Sequence, residues 1–93
     1  MGKHSFLGVS KVAGLWQEVY NNTSVGTDIS YVINKCGQPD EVLDLGESKM
    51  LSWVNEEWKG FLRGGTITRK LVFVVKNGKV ISKTGQNLEK SGL

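Results

Sequence analysis

The dipeptide Asn77-Gly78, set between Leu71-Val72-Phe73-Val74-Val75-Lys76 and Lys79-Val80-Ile81-Ser82-Lys83, constrains this chain more than any other stretch. Both central residues of a two-residue type I′ turn need positive φ, so Asn-Gly between apolar runs predicts a β-hairpin. The turn also predicts a register. It sets Lys76 opposite Lys79, Val75 opposite Val80, Val74 opposite Ile81, Phe73 opposite Ser82, Val72 opposite Lys83 and Leu71 opposite Thr84. Strand side chains alternate, so one face carries Leu71, Phe73, Val75 and Val80 and the other carries Val72, Val74 and Ile81 among lysines. Both faces are apolar. One must be covered by the N-terminal half, and the other keeps a strip that a partner can meet.

Two helices are available for the covering. From Ser10 as N-cap, Val12, Leu15, Trp16, Val19 and Tyr20 recur at the spacing of one helical face, predicting a helix that ends near Asn21-Asn22 after a loose tail over residues 1–8. Gly14 inside it costs about 1 kcal/mol relative to alanine, so this helix needs packing to persist. Asn21-Asn22-Thr23-Ser24 contains glycosylation-type sequons but reads as a helix-ending loop. For the second helix, Gly26 breaks the chain, Thr27 is the expected cap, Asp28 suits the N-terminal dipole, and Ile29, Val32, Ile33 and Cys36 form the apolar stripe. Gly37 can take the positive φ of a helix end, and Pro39 bars continuation.

The remaining segments are less patterned. Residues 40–47 read as an acidic loop, residues 48–58 as a strand of imperfect alternation, residues 59–65 as a glycine-rich turn of basic and aromatic character, and residues 86–93 as a fraying end. The predicted architecture is a single α+β domain over residues 1–93, with two N-terminal helices packed on one face of a three-stranded antiparallel sheet (ααβββ). Its expected core is Ile29, Val32, Ile33, Leu71, Phe73 and Val75.

Ninety-three residues suffice for one modest core, and 39% hydrophobic with 23% charged residues is a globular rather than a disordered composition. No apolar run reaches the roughly 18 residues of a spanning helix. Met1 to Gly8 lacks the apolar segment of a secretory signal, so a native Met1 implies the cytoplasm, whereas a removed leader would imply the periplasm or envelope. The single Cys36 excludes an internal disulfide and, on the buried stripe, reads as an inert thiol. The net charge of +3 conceals an asymmetry. Residues 40–57 hold six acids against Lys49, and residues 58–93 hold eight bases against Glu89. Such a layout suits an interaction surface or a nucleic-acid footprint.

The run Val25-Gly26-Thr27-Asp28-Ile29-Ser30-Tyr31-Val32-Ile33-Asn34-Lys35-Cys36-Gly37-Gln38-Pro39-Asp40 resembles the G-[MT]-x-x-x-x-V-x-x-x-x-G-x-P signature of the SmpA/OmlA (BamE-like) family. Trp53 stands where that family has a strand tryptophan. Gly65-Thr66-Ile67-Thr68, Leu71-Val72-Phe73-Val74 and Gly78-Lys79-Val80 are similar to its closing hairpin. The resemblance spans roughly residues 9–87. It implies two helices against a three-stranded antiparallel sheet, as also in the related β-lactamase-inhibitor-like fold, and a non-catalytic module that binds other proteins, typically in the bacterial envelope.

Candidates for chemistry are sparse. The sole histidine, His4, lies in the predicted tail; Asp40, Glu41, Asp44 and Glu47 do not follow a calcium-loop pattern; and Gly60, Gly64 and Gly65 lack the spacing of a phosphate-binding loop. The expectation is therefore no enzyme, no metal, no cofactor and no small-molecule substrate. Two binding readings remain. In the first, Trp58, Phe61, Arg63, Val72, Val74 and Ile81 meet another protein or a second copy of the chain, since Trp and Arg are enriched at interface hot spots. In the alternative, Lys59, Arg63, Arg69, Lys70, Lys76, Lys79 and Lys83 line one surface and bind nucleic acid, with Trp58 and Phe61 stacking on bases.

Overall fold

A computed structural model describes residues 5–58 and 65–88. Two helices, α1 (Ser5–Asn22) and α2 (Ile29–Cys36), precede four strands, β1 (Glu41–Asp44), β2 (Lys49–Trp58), β3 (Thr66–Lys76) and β4 (Lys79–Gln86). The strands form one antiparallel sheet in the order β1-β2-β3-β4. The protein is thus α+β with a meander, but the sheet has four strands where three were expected. The fourth comes from the segment read as an acidic loop. Glu-Val-Leu-Asp is only four residues long and half acidic, a composition depleted in strands, and pairing with β2 rather than propensity makes it one. A turn closes the β1–β2 hairpin: the Asp44 carboxylate accepts from the Gly46 N–H at 2.9 Å, and the Leu45 N–H donates to the Ser48 carbonyl at 2.9 Å.

Helix α1 starts at Ser5, so residues 5–8 are helical rather than a loose tail, and Ser10 lies inside the helix instead of capping it. Trp16 and Val19 on its stripe are buried, with Leu15 and Tyr20 packed against them. Helix α2 is capped by Asp28, not Thr27: the Asp28 side chain accepts from the Ser30 N–H at 2.9 Å. Thr27 instead closes the preceding turn, its hydroxyl accepting from the Ser24 N–H at 3.0 Å. Gly37 ends α2 at φ 84° and donates its N–H to the Ile33 carbonyl at 2.8 Å. The α1–α2 loop is stitched to the hairpin, because Gly26 donates to the Val80 carbonyl, Val80 to the Thr27 carbonyl and Ile29 to the Gly78 carbonyl, at 2.8, 2.8 and 2.9 Å.

The core lies between the helices and one face of the sheet. Val32, Leu51, Trp53, Leu71, Phe73, Val75 and Val80 are all buried there, while Ile29 and Ile33 pack at its margin. Trp53 and Phe73 meet edge to face at 6.0 Å, and the Trp53 indole N–H donates to the Gly37 carbonyl at 2.9 Å, tying β2 to the end of α2. Of residues 86–93, expected to fray, Gln86 belongs to β4 and residues 87 and 88 are packed in place, while residues 89–93 lie outside the described residues. Leu88 is part of the core, and the Asn87 amide donates to the Thr68 carbonyl at 2.9 Å.

The hairpin turn is as predicted, with Asn77 and Gly78 at φ 54° and 78°, and Lys76–Lys79 and Val75–Val80 paired. Beyond that the register changes. Val74 faces Ser82, Phe73 faces Lys83, Val72 faces Thr84 and Leu71 faces Gly85, so Ile81 is the extra residue of a β-bulge. The slip of one residue exchanges the faces of everything after it. Lys83 therefore lies on the helix side, donating to the Tyr20 carbonyl at 2.7 Å with its ammonium 4.2 Å from the Tyr20 ring centre. Gly85 lies on the same side, where Leu88 and Tyr20 leave no room for a side chain: a Cβ there would sit 2.5 Å from the Leu88 Cδ1.

Candidate functional site

With both helices on the Leu71 and Phe73 side, the opposite face of the sheet carries no helix among the described residues. Its side chains follow from the register. One row across the strands is Leu43, Met50, Val74 and Ser82; the next is Glu41, Ser52, Val72 and Thr84; the third is Val54, Lys70 and Gln86. Antiparallel sheets with one solvated face usually make that face polar. Here Leu43 and Val54 are exposed, and Met50, Val72 and Val74 are half-buried. A shallow groove of about 180 Å³ runs through the middle, lined by Glu41, Val42, Leu43, Met50, Ser52, Lys70 and Val72. A second cleft of about 420 Å³ opens at the hairpin tip over Ile29, Leu51 and Val75, with Glu47 and Lys49 on its lining. There Glu47 is already paired with Lys76 at 3.2 Å.

Of the residues expected to bind a protein, Val72 and Val74 lie side by side on this face. Ile81 is exposed but sits in the bulge, so Ser82 rather than Ile81 continues the Val74 row. Trp58 ends β2 opposite Thr66. Phe61 and Arg63 lie outside the described residues, as does Lys59. Sequence reasoning missed Leu43, Met50 and Val54. Leu43 was hidden in the presumed loop, and the two β2 residues were undecided because Met50, Leu51, Trp53 and Val54 put apolar side chains on both faces. The Asp44-Leu45-Gly46 turn was the signal that could have revealed β1.

The described residues of the nucleic-acid alternative do not all lie on one surface. Arg69 occupies an odd position of β3, on the core face with Leu71 and Phe73, and its side chain is 0% exposed. Its guanidinium bonds the Asn55 side-chain oxygen at 3.0 Å and pairs with the buried Glu57 carboxylate. A phosphate in solvent cannot reach it, which corrects its expected role. Lys83 faces the helices and is committed to Tyr20. Lys76 and Lys79 pair with Glu47 and Asp28 at 3.2 and 3.5 Å. Lys70, on the bare face, makes no ion pair among the described residues.

Titration and ligand chemistry add little reactivity. Burial pushes the Cys36 thiol up to about 11, which keeps it protonated and unreactive at neutral pH. Among the described residues no three His, Cys, Asp or Glu side chains cluster as metal ligands, and no helix is long and apolar enough to cross a membrane. Comparison with protein-family models, curated protein sequences and solved structures finds no match, so the geometry of the bare sheet face carries the functional reading.

Proposed function

We propose that this protein is a non-catalytic binding module whose docking surface is the helix-free face of its sheet. The observation that carries the reading is the adjacency of Leu43, Met50, Val72, Val74 and Val54 on a face that water-facing sheets reserve for polar residues. The resemblance to BamE-like proteins points the same way, toward a small module that acts by holding another protein. The nucleic-acid alternative draws less support, because four of its seven basic residues are buried, turned inward or paired with acids.

A photo-crosslinking residue placed at position 74, and at the exposed Asn34 of α2 as control, tests this reading in the cells that make the protein. Adducts with protein, foreign or self, are expected from position 74 and not from position 34. Equal labelling from both positions, or none from 74, would refute it.

A further inference from the structure

The partner on this face can be named from its charges. Glu41 is exposed on the edge strand β1, and Lys70 is half-buried two strands away on β3, one row further along. Both line the same groove, on either side of Ser52 and Val72. Neither makes an ion pair among the described residues, whereas the neighbouring Lys76 and Lys79 have Glu47 and Asp28. The groove thus carries one acid and one base, neither held in an ion pair among the described residues, around a largely apolar floor. Such a surface is complementary to itself. A two-fold axis parallel to the sheet, perpendicular to the line joining the two residues and crossing its midpoint, lays Glu41 of one copy over Lys70 of the other and repeats the contact in reverse.

Resting on the reading that this face is the docking surface, we propose that its occupant is a second copy of the chain, paired face to face through Glu41 and Lys70. The open edge of β1 is a poor alternative route. Two β1 strands paired antiparallel about Val42 and Leu43 would set Glu41 opposite Asp44 at both ends, and like charges directly opposite oppose pairing. The size of the face sets the strength. Four strands at about 4.8 Å spacing and about five residues of strand length cover roughly 300–400 Å² per copy, about half of a standard interface. The association should accordingly be weak, with Kd of roughly 10–500 μM and fast exchange.

Sedimentation equilibrium of the full chain from about 10 μM to 1 mM tests the proposal through charge reversal. Wild type should self-associate. Glu41→Lys and Lys70→Glu should each weaken association by about 10-fold, because both copies of the contact turn from attraction to repulsion. An equimolar mixture of the two variants should recover wild-type association, since each chain then supplies what the other lacks. Val74→Lys should abolish association without touching either charge. Wild type remaining monomeric at 1 mM, or a mixture no better than its components, would overturn the proposal. The two readings separate cleanly. A monomeric wild type that still crosslinks foreign proteins from position 74 removes the second copy and leaves the docking face; a chain that is monomeric and also silent at position 74 removes both.

Discussion

Deleting Ile81 should leave the fold intact, although the deletion falls within a strand. In the regular register dictated by the Asn-Gly turn, removing one residue of β4 would carry every later side chain to the opposite face. In the observed register Ile81 is the surplus residue between the Val75–Val80 and Val74–Ser82 pairs, so its loss joins two segments that are already aligned. Lys83 stays opposite Phe73, and Gly85 stays opposite Leu71. The cost is then the burial of one side chain. Full burial of an isoleucine is worth about 1.5–3 kcal/mol, and Ile81 is 44% exposed, so the deletion forfeits about 1–2 kcal/mol. For a domain of this size that lowers Tm by roughly 5–15 °C. Deletion of Lys70 is the control. It is paired on both sides, with Val54 and Gln86, and no bulge can absorb its loss, so the domain should fail to fold cooperatively. Thermal unfolding by circular dichroism reads the stability, and cross-strand nuclear Overhauser effects between Phe73 and Lys83 read the register. A loss above about 4 kcal/mol on deleting Ile81, or Phe73 contacting Ser82 rather than Lys83 in the wild type, would refute the bulge.

Neighbouring residues of β3 should respond oppositely to substitution: Phe73→Ala should cost about 3–5 kcal/mol, because the ring is fully buried against Trp53, whereas Val74→Lys on the bare face should cost less than about 1 kcal/mol. Similar denaturant midpoints for the two variants would show the face assignment to be wrong. Gly14→Ala should stabilise the protein by roughly 0.5–1 kcal/mol, since Gly14 is exposed in α1 and an added methyl meets no atom within 4 Å; an unchanged or lower Tm would contradict this. Asp28 supplies the pH dependence. The Ser30 N–H, foremost, holds its carboxyl below the ordinary value of 3.8, with a smaller contribution from Lys79. A depressed folded-state pKa contributes stability that is present above the unfolded value and lost as pH falls through the folded one. The stability gap between wild type and Asp28→Ala should be constant above about pH 5 and shrink below about pH 4, as followed by urea denaturation at each pH; a gap that widens on acidification would reverse the assignment.

What the sequence determined by itself is what local physics decides. Asn77-Gly78 can hardly be anything but a tight turn, because few dipeptides tolerate two positive φ angles, and it took that form. The stripes of Trp16 and Val19, and of Ile29, Val32 and Ile33, marked the buried sides of both helices, and Gly37 marked the end of the second. Leu71, Phe73 and Val75, expected as the buried side of the hairpin, are in the core.

Tertiary structure decided the rest, wherever the balance was between distant residues. Glu41–Asp44 becomes a strand only because β2 offers it a partner, and that pairing, invisible in four residues of low β propensity, adds Leu43 and Glu41 to the bare face. The register beyond Val80 was settled by loop and helix contacts rather than by the turn. The α1–α2 loop bonds Val80 on its outer edge, Tyr20 holds Lys83, and Leu88 fills the space at Gly85, which together fit a bulge better than a regular ladder. Arg69 reads in sequence as one more surface cation. Its burial depends on Asn55 and Glu57, fourteen and twelve residues away along the chain, which β2–β3 pairing brings onto its face. A charge can enter a core only where such partners are assembled, and their assembly is a property of the fold rather than of any segment.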